Sequence, residues 1–467
     1  MRNFLSFINL KVSFLILVKL LKRNAVNLIL IFLIILIAIF SQLKYQFFYN
    51  LHTISLGFIG TYQEHDLPLE VTRLLSQSLA EADTAGRFKG KLLAGWEVNH
   101  DATVFKLKLK DNLQWADGSP IRVADLELAI PNLEVKNLDD KTLQITLKEA
   151  YSPFPSLLTK PIFKKGILIG TGPYKITRLE KSRIFITKIE LQPVDSALPK
   201  ISVRFYPNEK VALTGFNLGE AQALFALSNP KSFVGNAQVD LLQKGDYGKI
   251  VSILFQTKDV LLSNRSLRQA LGFITPGIED EIVADNPYPP KSWAYDQTAK
   301  KYLSNSDEAS AALERAKAAL SDEKLKQEII LTATPNLEAV GNKVITEWKK
   351  LGLNVKLRVE SGIAQNFQAL LITQGIPQDP DQYFLWHTTQ EKTNLTKYDS
   401  KRADKNLEDG RKIISEEDRK IKYFDFQKTL LEDAPAVFLY FPKYNIAYLK
   451  KAKPALDQVL NLHILGN

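Results

Sequence analysis

The sequence predicts a mixed α/β body carried behind a single apolar N-terminal helix. Three observations lead there. Residues 25 to 43 read AVNLILIFLIILIAIFSQL and contain no charge. Residues 104 to 110 and 143 to 148 alternate apolar and polar side chains, the period of half-buried strands. Residues 328 to 359 read strand, helix, strand, a βαβ unit over a mostly parallel sheet.

The apolar segment comes first in the chain. At 1.5 Å rise per residue it spans roughly 28 Å, enough to cross a hydrocarbon core. Five basic residues precede it and Lys44 follows, with no Asp or Glu among residues 1 to 44. That asymmetry keeps residues 1 to 24 cytoplasmic and exports the body. A cleaved signal peptide is the competing reading; Phe40, Ser41, Gln42 and Leu43 form no small-x-small cleavage site, which favours an uncleaved anchor. Phe4 to Leu21, interrupted by Lys11 and Lys19, reads as an amphipathic segment lying in the interface.

The chain carries 61 Lys plus Arg against 51 Asp plus Glu, a formal charge of +10. Six of the basic residues precede position 45, which leaves 55 against 51, or +4, for the body. A near-neutral exported body argues against a nucleic-acid partner. The absence of cysteine excludes disulfides, thiolate metal sites, a cysteine nucleophile and a lipidated N-terminal Cys.

Further elements follow in order. Residues 53 to 60 read as a buried strand and 67 to 82 as a helix. Asp117-Gly118-Ser119-Pro120 is a turn, with Val123 to Ile130 a short helix after it. Asp307 is placed to cap a helix through Leu320, and Thr334 to cap one that has Pro335 at its first position and ends at Gly352. A charged amphipathic helix is expected over Lys405 to Glu432, then an apolar strand, Ala436 to Phe441.

Signatures of covalent chemistry are weak. Gly86-Arg87-Phe88-Lys89-Gly90-Lys91 continues with Leu92 and so misses the phosphate-loop pattern. Gly170-Thr171-Gly172 runs into Pro173, and no serine elbow occurs. The five histidines are scattered without helical spacing, so no metal site is assigned. Asp379-Pro380-Asp381 reads as a turn more readily than as a catalytic pair. No catalytic residue and no cofactor are assigned.

A set of motifs does stand out together. Leu93-Ala94-Gly95-Trp96-Glu97-Val98 is followed by Phe105-Lys106-Leu107, Trp115-Ala116-Asp117-Gly118-Ser119-Pro120 and Ala124-Asp125-Leu126. Gly170-Thr171-Gly172-Pro173-Tyr174, Leu267-Arg268-Gln269-Ala270-Leu271, Trp348 to Leu353, Asp379-Pro380-Asp381 and Glu417-Asp418-Arg419 to Ala436 come later. In this order, over about residues 53 to 450, they resemble the family 5 extracellular solute-binding proteins, the peptide- and nickel-binding components of ABC importers.

The resemblance implies a bilobed periplasmic-binding-protein-like fold of the type II, large peptide-binder class. Lobe I would comprise 53 to 255, with a trimmed subsidiary region, plus 435 to 467; lobe II would comprise 256 to 434. It implies an oligopeptide or similar elongated solute in an interlobe cleft and ABC permease subunits as partners. Candidate ligand contacts are Tyr62 and Gln63 after the first strand, Thr373, Gln374, Gln378 and Asp379 around the turn, and Trp386 after it. The family's acidic residue for a ligand ammonium group falls on Ile376 here, which puts recognition of a free peptide N-terminus in doubt. The segment between Ile130 and Leu143 is short for the family. These departures keep a second function open, a surface interaction or sensing module that does not transport.

Overall fold

The computed structural model describes residues 53–466 except 127, 129, 131, 132, 234, 303 and 363–365, together with positions 34 and 36. The anticipated span over 25 to 43 therefore lies outside the described residues apart from those two positions. Among the described residues no helix is long and apolar enough to cross a membrane.

Two large mixed sheets organise the body. The first has seven strands, in the order Val239–Gly245, Lys443–Leu449, Ala223–Phe225, Thr53–Ile59, Lys200–Tyr206, Phe185–Pro193, Tyr174–Ser182. Thr53–Ile59 runs parallel to both its neighbours. Both faces are covered, Ile54, Leu56 and Phe58 facing one core and Leu224, Tyr206 and Ala447 another. Burial on both sides is why Thr53–Ile59 reads as a near-continuous apolar run rather than an alternation.

The second sheet has six strands, in the order Ile282–Val283, Ala436–Phe441, Lys249–Phe255, Ala369–Gly375, Ile329–Ala333, Val355–Val359. The βαβ unit is present, with Ile329–Ala333 parallel to Val355–Val359 and helix Glu338–Lys349 between them. Along Lys249–Phe255, Val251, Ile253 and Phe255 join one core while Ile250 and Leu254 join the other. Lys249–Phe255 and Ala436–Phe441 pair with each other as the third and second strands of this sheet. The chain thus crosses between sheets at residues 246–248 and returns at Pro442, so strands Lys249–Phe255 and Ala436–Phe441 both belong to the second sheet.

A small subdomain interrupts the first lobe. It contains the hairpin Ala80–Ala82/Phe88–Gly90 and an antiparallel sheet in the order Leu93–Val98, Val104–Leu109, Thr142–Thr146, Glu134–Asn137. The alternation read from the sequence holds here. Phe105, Leu107 and Leu109 are buried, and Lys106, Lys108 and Lys110 are exposed. The Gly86 to Lys91 sequence forms part of the hairpin and its turn.

Several helices begin or end differently from expectation. The helix anticipated over 67 to 82 stops at Leu75. The returning segment Gly170–Gly172 presses onto its end; a Cβ on Gly172 would lie 2.6 Å from the Ser76 amide nitrogen. In place of the helix expected from Val123, the described residues form one 3-10 turn, Val123–Asp125, and Leu126 turns extended and bridges to Lys164. Asn305, not Asp307, caps helix Ser306–Lys317, accepting the Asp307 and Glu308 amides at 3.1 Å. Thr334 makes no cap bond; a 3-10 turn, Pro335–Leu337, precedes the helix. The helix expected over 405 to 432 is two, Lys401–Gly410 and Glu416–Asp433, the second capped by Ser415. Gly410 lies against the Tyr423 ring, so the pair packs antiparallel instead of continuing.

Candidate interlobe site

The two crossings fix where a site can form. Strand registers place Phe58, one residue from the end of Thr53–Ile59, level with Ile446 and Leu242, three residues along those strands from Lys443 and Gly245. In the second sheet Gly375, the end of Ala369–Gly375, pairs with Lys249 just beyond the first crossing. The Asp246 amide donates to Pro442 O at 2.8 Å and the Ile376 amide to Gly248 O at 2.9 Å. The loops after the parallel strands of both sheets therefore converge on the crossings, the position where open α/β sheets bind ligands.

Tyr62 and Gln63 stand at the first-lobe side of this convergence. The Tyr62 hydroxyl donates to Ile59 O at 2.9 Å, and its ring lies 5.2 Å from Phe205. Burial, followed by the charges of Glu70 and Asp66, raises its hydroxyl pKa. The Gln63 amide is held by the Asp66 carboxylate, leaving its side chain without a hydrogen bond among the described residues. On the second-lobe side, Thr373 and Gln374 are half-buried and Gln378 is exposed. The Ser252 hydroxyl contacts Gln374 Oε1 at 3.4 Å. Ile376 packs against the inner core of this lobe.

The other two candidates are committed elsewhere. Asp379 is 3% exposed and accepts from both Arg419 terminal nitrogens, at 3.1 and 2.6 Å. Its Oδ1 also accepts the Asp381 amide at 2.9 Å. Trp386 is buried; its indole N–H donates to Gln382 Oε1 at 2.8 Å, and its ring meets Phe438 edge-on. Both side chains sit inside the second lobe, supporting the turn rather than lining the convergence. An aspartate satisfied by a buried arginine has little left with which to hold a solute.

Sequence reasoning missed the seam where the small subdomain meets the second lobe. The Arg411 guanidinium lies between Tyr151, 5.0 Å away, and Tyr383, 4.1 Å away. It stands 3.4 Å from the Asp381 carboxylate. Burial pushes that carboxyl up to about 6, with Arg411 opposing and Asp379 adding to the shift. The local signal was present in Asp379-Pro380-Asp381, but a turn motif does not say which aspartate meets which arginine. Among the described residues no cluster of His, Asp and Glu is disposed to hold a metal ion. Two concavities of about 420 Å³ lie elsewhere in the first lobe, sharing Thr171, Gly172 and Val194 in their walls.

With this geometry in hand, comparison with known proteins is direct. The chain is 22% identical over 442 residues to a probable D,D-dipeptide-binding periplasmic protein of Escherichia coli, covering 81% of this chain and 85% of that one. Its fold matches the ABC transporter substrate-binding protein CtaP of Listeria monocytogenes with a TM-score of 0.72 at 17% identity, over 85% of this chain and 93% of that one. It also matches NikZ of Campylobacter jejuni, solved with Ni(L-His), with a TM-score of 0.66 at 20% identity over 85% and 94%. The profile described as bacterial extracellular solute-binding proteins, family 5 middle, matches residues 87–395. Two sheets joined by paired crossings, an α/β bilobed body and that match lead to one assignment: the chain belongs to the family 5 extracellular solute-binding proteins.

Proposed function

We propose that this protein is a membrane-anchored solute-binding component of an ABC importer, holding an oligopeptide or similar elongated solute between its lobes and presenting it to a permease. What supports the reading is the family match, together with the position of Tyr62 and Gln63 after a parallel strand of the first sheet and of Thr373, Gln374 and Gln378 at and beyond the end of a strand of the second, beside the crossings. Its chemistry is non-covalent: hydrogen bonds from amide and hydroxyl groups, and a difference in affinity between open and closed arrangements. No carboxylate stands at Ile376, so the solute end beside it is uncharged. Asp379 and Trp386 serve as the scaffold of the second-lobe wall. The segment 25 to 43 anchors the chain with its N-terminus in the cytoplasm, which keeps the binder at high local concentration near the permease.

Mass spectrometry of solutes carried by the purified protein tests this. A peptide-like mass, preferring blocked over free amino ends, is expected. A body that is empty and shows no thermal shift across a peptide and metal library would defeat the binding claim. A C-terminal reporter active only in the cytoplasm would overturn the orientation. Ile376, in place of the family's acidic residue, favours a second reading as a surface interaction module, which the empty outcome would select.

A further inference from the structure

The small subdomain belongs covalently to the first lobe, yet its tip and one corner reach the second. At the tip, the Trp293 amide donates to Ala85 O at 3.0 Å. Arg87 grips Glu416 through three hydrogen bonds of 2.8 to 3.1 Å. Gly86 between them has φ +85°, and a Cβ there would lie 2.8 Å from Gln378 O. Only glycine suits that backbone and that approach. At the corner, the Ser152 amide donates to Arg411 O at 2.8 Å, beside the stacking of Arg411 on Tyr151.

This seam does not have the character of a permanent core. Ser152 Oγ and Arg411 Nε are buried without a hydrogen-bond partner among the described residues. Asp381 is 5% exposed, with its arginine at 3.4 Å and not closer. Buried polar groups left incompletely satisfied carry a desolvation cost that water removes when the surfaces part. Directional contacts close the seam while incomplete solvation strains it, so it is suited to form and release.

We infer that the small subdomain is a latch that bridges from the first lobe to the second and biases the cleft toward closure before any solute arrives. The latch regulates the site proposed above and takes its purpose from that reading, but its mechanics do not depend on a solute. The Arg87–Glu416 pair gives the latch its register, and Gly86 permits the tip to dock beside the Gln378 wall.

The natural absence of cysteine makes the test clean. Leu218→Cys in the first lobe and Ile421→Cys in the second, at exposed positions, carry spin labels on the full chain in detergent, stripped of solute by reversible unfolding. Double electron–electron resonance then reads the interlobe distance. A major short-distance population is expected for the parent. Arg87→Glu should raise the open-to-closed ratio roughly 1.5- to 5-fold, Gly86→Ala at least as much, and Arg87→Glu with Glu416→Arg should restore the parent distribution. A stripped parent found mainly open, or Arg87→Glu indistinguishable from it, or a charge swap that restores nothing, would overturn the latch. Mass spectrometry of carried solute is a separate readout, so an empty cleft would remove the binding claim and leave this result intact.

Discussion

Asp379→Asn is the perturbation that best separates a scaffold role from a ligand contact. The substitution keeps the shape of the side chain and an oxygen for the Asp381 amide, but removes the charge opposite Arg419. Arg419 is 7% exposed and Asp379 3%, so neither group can turn to water when its partner is lost. Arg419 also donates to Gly410 O at 3.0 Å and to the Tyr423 hydroxyl at 3.0 Å, and lies 5.3 Å from the Trp293 and Tyr423 rings. Those contacts hold the guanidinium in place, so an uncompensated cation stays buried. Breaking a buried pair in this way costs about 3–5 kcal/mol. For a lobe of this size that corresponds to a fall in melting temperature of roughly 6–20 °C. Calorimetry on the purified chain measures it, with Asp379→Leu/Arg419→Met as the partner experiment, in which removal of both charges should recover part of the loss. A variant that melts within about 1 kcal/mol of the parent yet no longer carries solute would refute the reasoning and return Asp379 to the ligand.

Three further outcomes are expected. Arg268→Met leaves the carbonyls of Leu262, Ser263, Asp433 and Ala434 without their donor, so a loss of about 3 kcal/mol or more is expected in urea unfolding; an unchanged midpoint would show that water replaces the guanidinium. Asp381→Asn should act through pH. Because burial holds the folded carboxyl near 6, above its unfolded value, the folded chain binds the extra proton; that stability is fully present below about pH 4 and lost as pH rises through 6, amounting to about 3 kcal/mol. The amide variant should match the parent at pH 4 and melt higher at pH 7.5, and a parallel pH profile for the two would sink the argument. Gly172→Ala should fold poorly, since its Cβ meets backbone atoms of Leu75 and Ser76, whereas Gly95→Ala, with nothing within 4 Å, should shift stability by no more than about 0.5 kcal/mol; equal effects at the two sites would contradict the packing account.

What was legible in the sequence follows from how far each determinant lies along the chain. Strand Val104–Leu109 is written into six consecutive residues, because a sheet with one dry face needs only a period of two. Helix Leu69–Leu75 carries no stop signal of its own; Gly170 and Gly172, about 95 residues later, press on its end. The same distance hides the sheet crossings. Lys249–Phe255 and Ala436–Phe441 are apolar on both faces, so the pattern announces a central strand without saying of which sheet. Topology alone nominates the loop after Thr53–Ile59, which carries Tyr62 and Gln63, and the end of strand Ala369–Gly375 with the residues after it.

Asp379-Pro380-Asp381 shows why the same logic stops at side chains. Two aspartates separated by one proline carry the same local signal, and both are buried. Asp379 meets Arg419 in a tight two-pronged pair with every oxygen engaged. Asp381 meets Arg411 at 3.4 Å on the second-lobe side of a seam that also leaves Ser152 Oγ and Arg411 Nε unmet. The first pairing lies wholly within one lobe and joins the turn to helix Glu416–Asp433; the second sits where that lobe touches the small subdomain. A fully satisfied pair makes the turn rigid, and an incompletely satisfied one makes its neighbour releasable. The turn can therefore stay fixed as the wall of the cleft while the surface beside it opens, a division that depends on which arginine each carboxylate finds and that no spacing within the motif encodes.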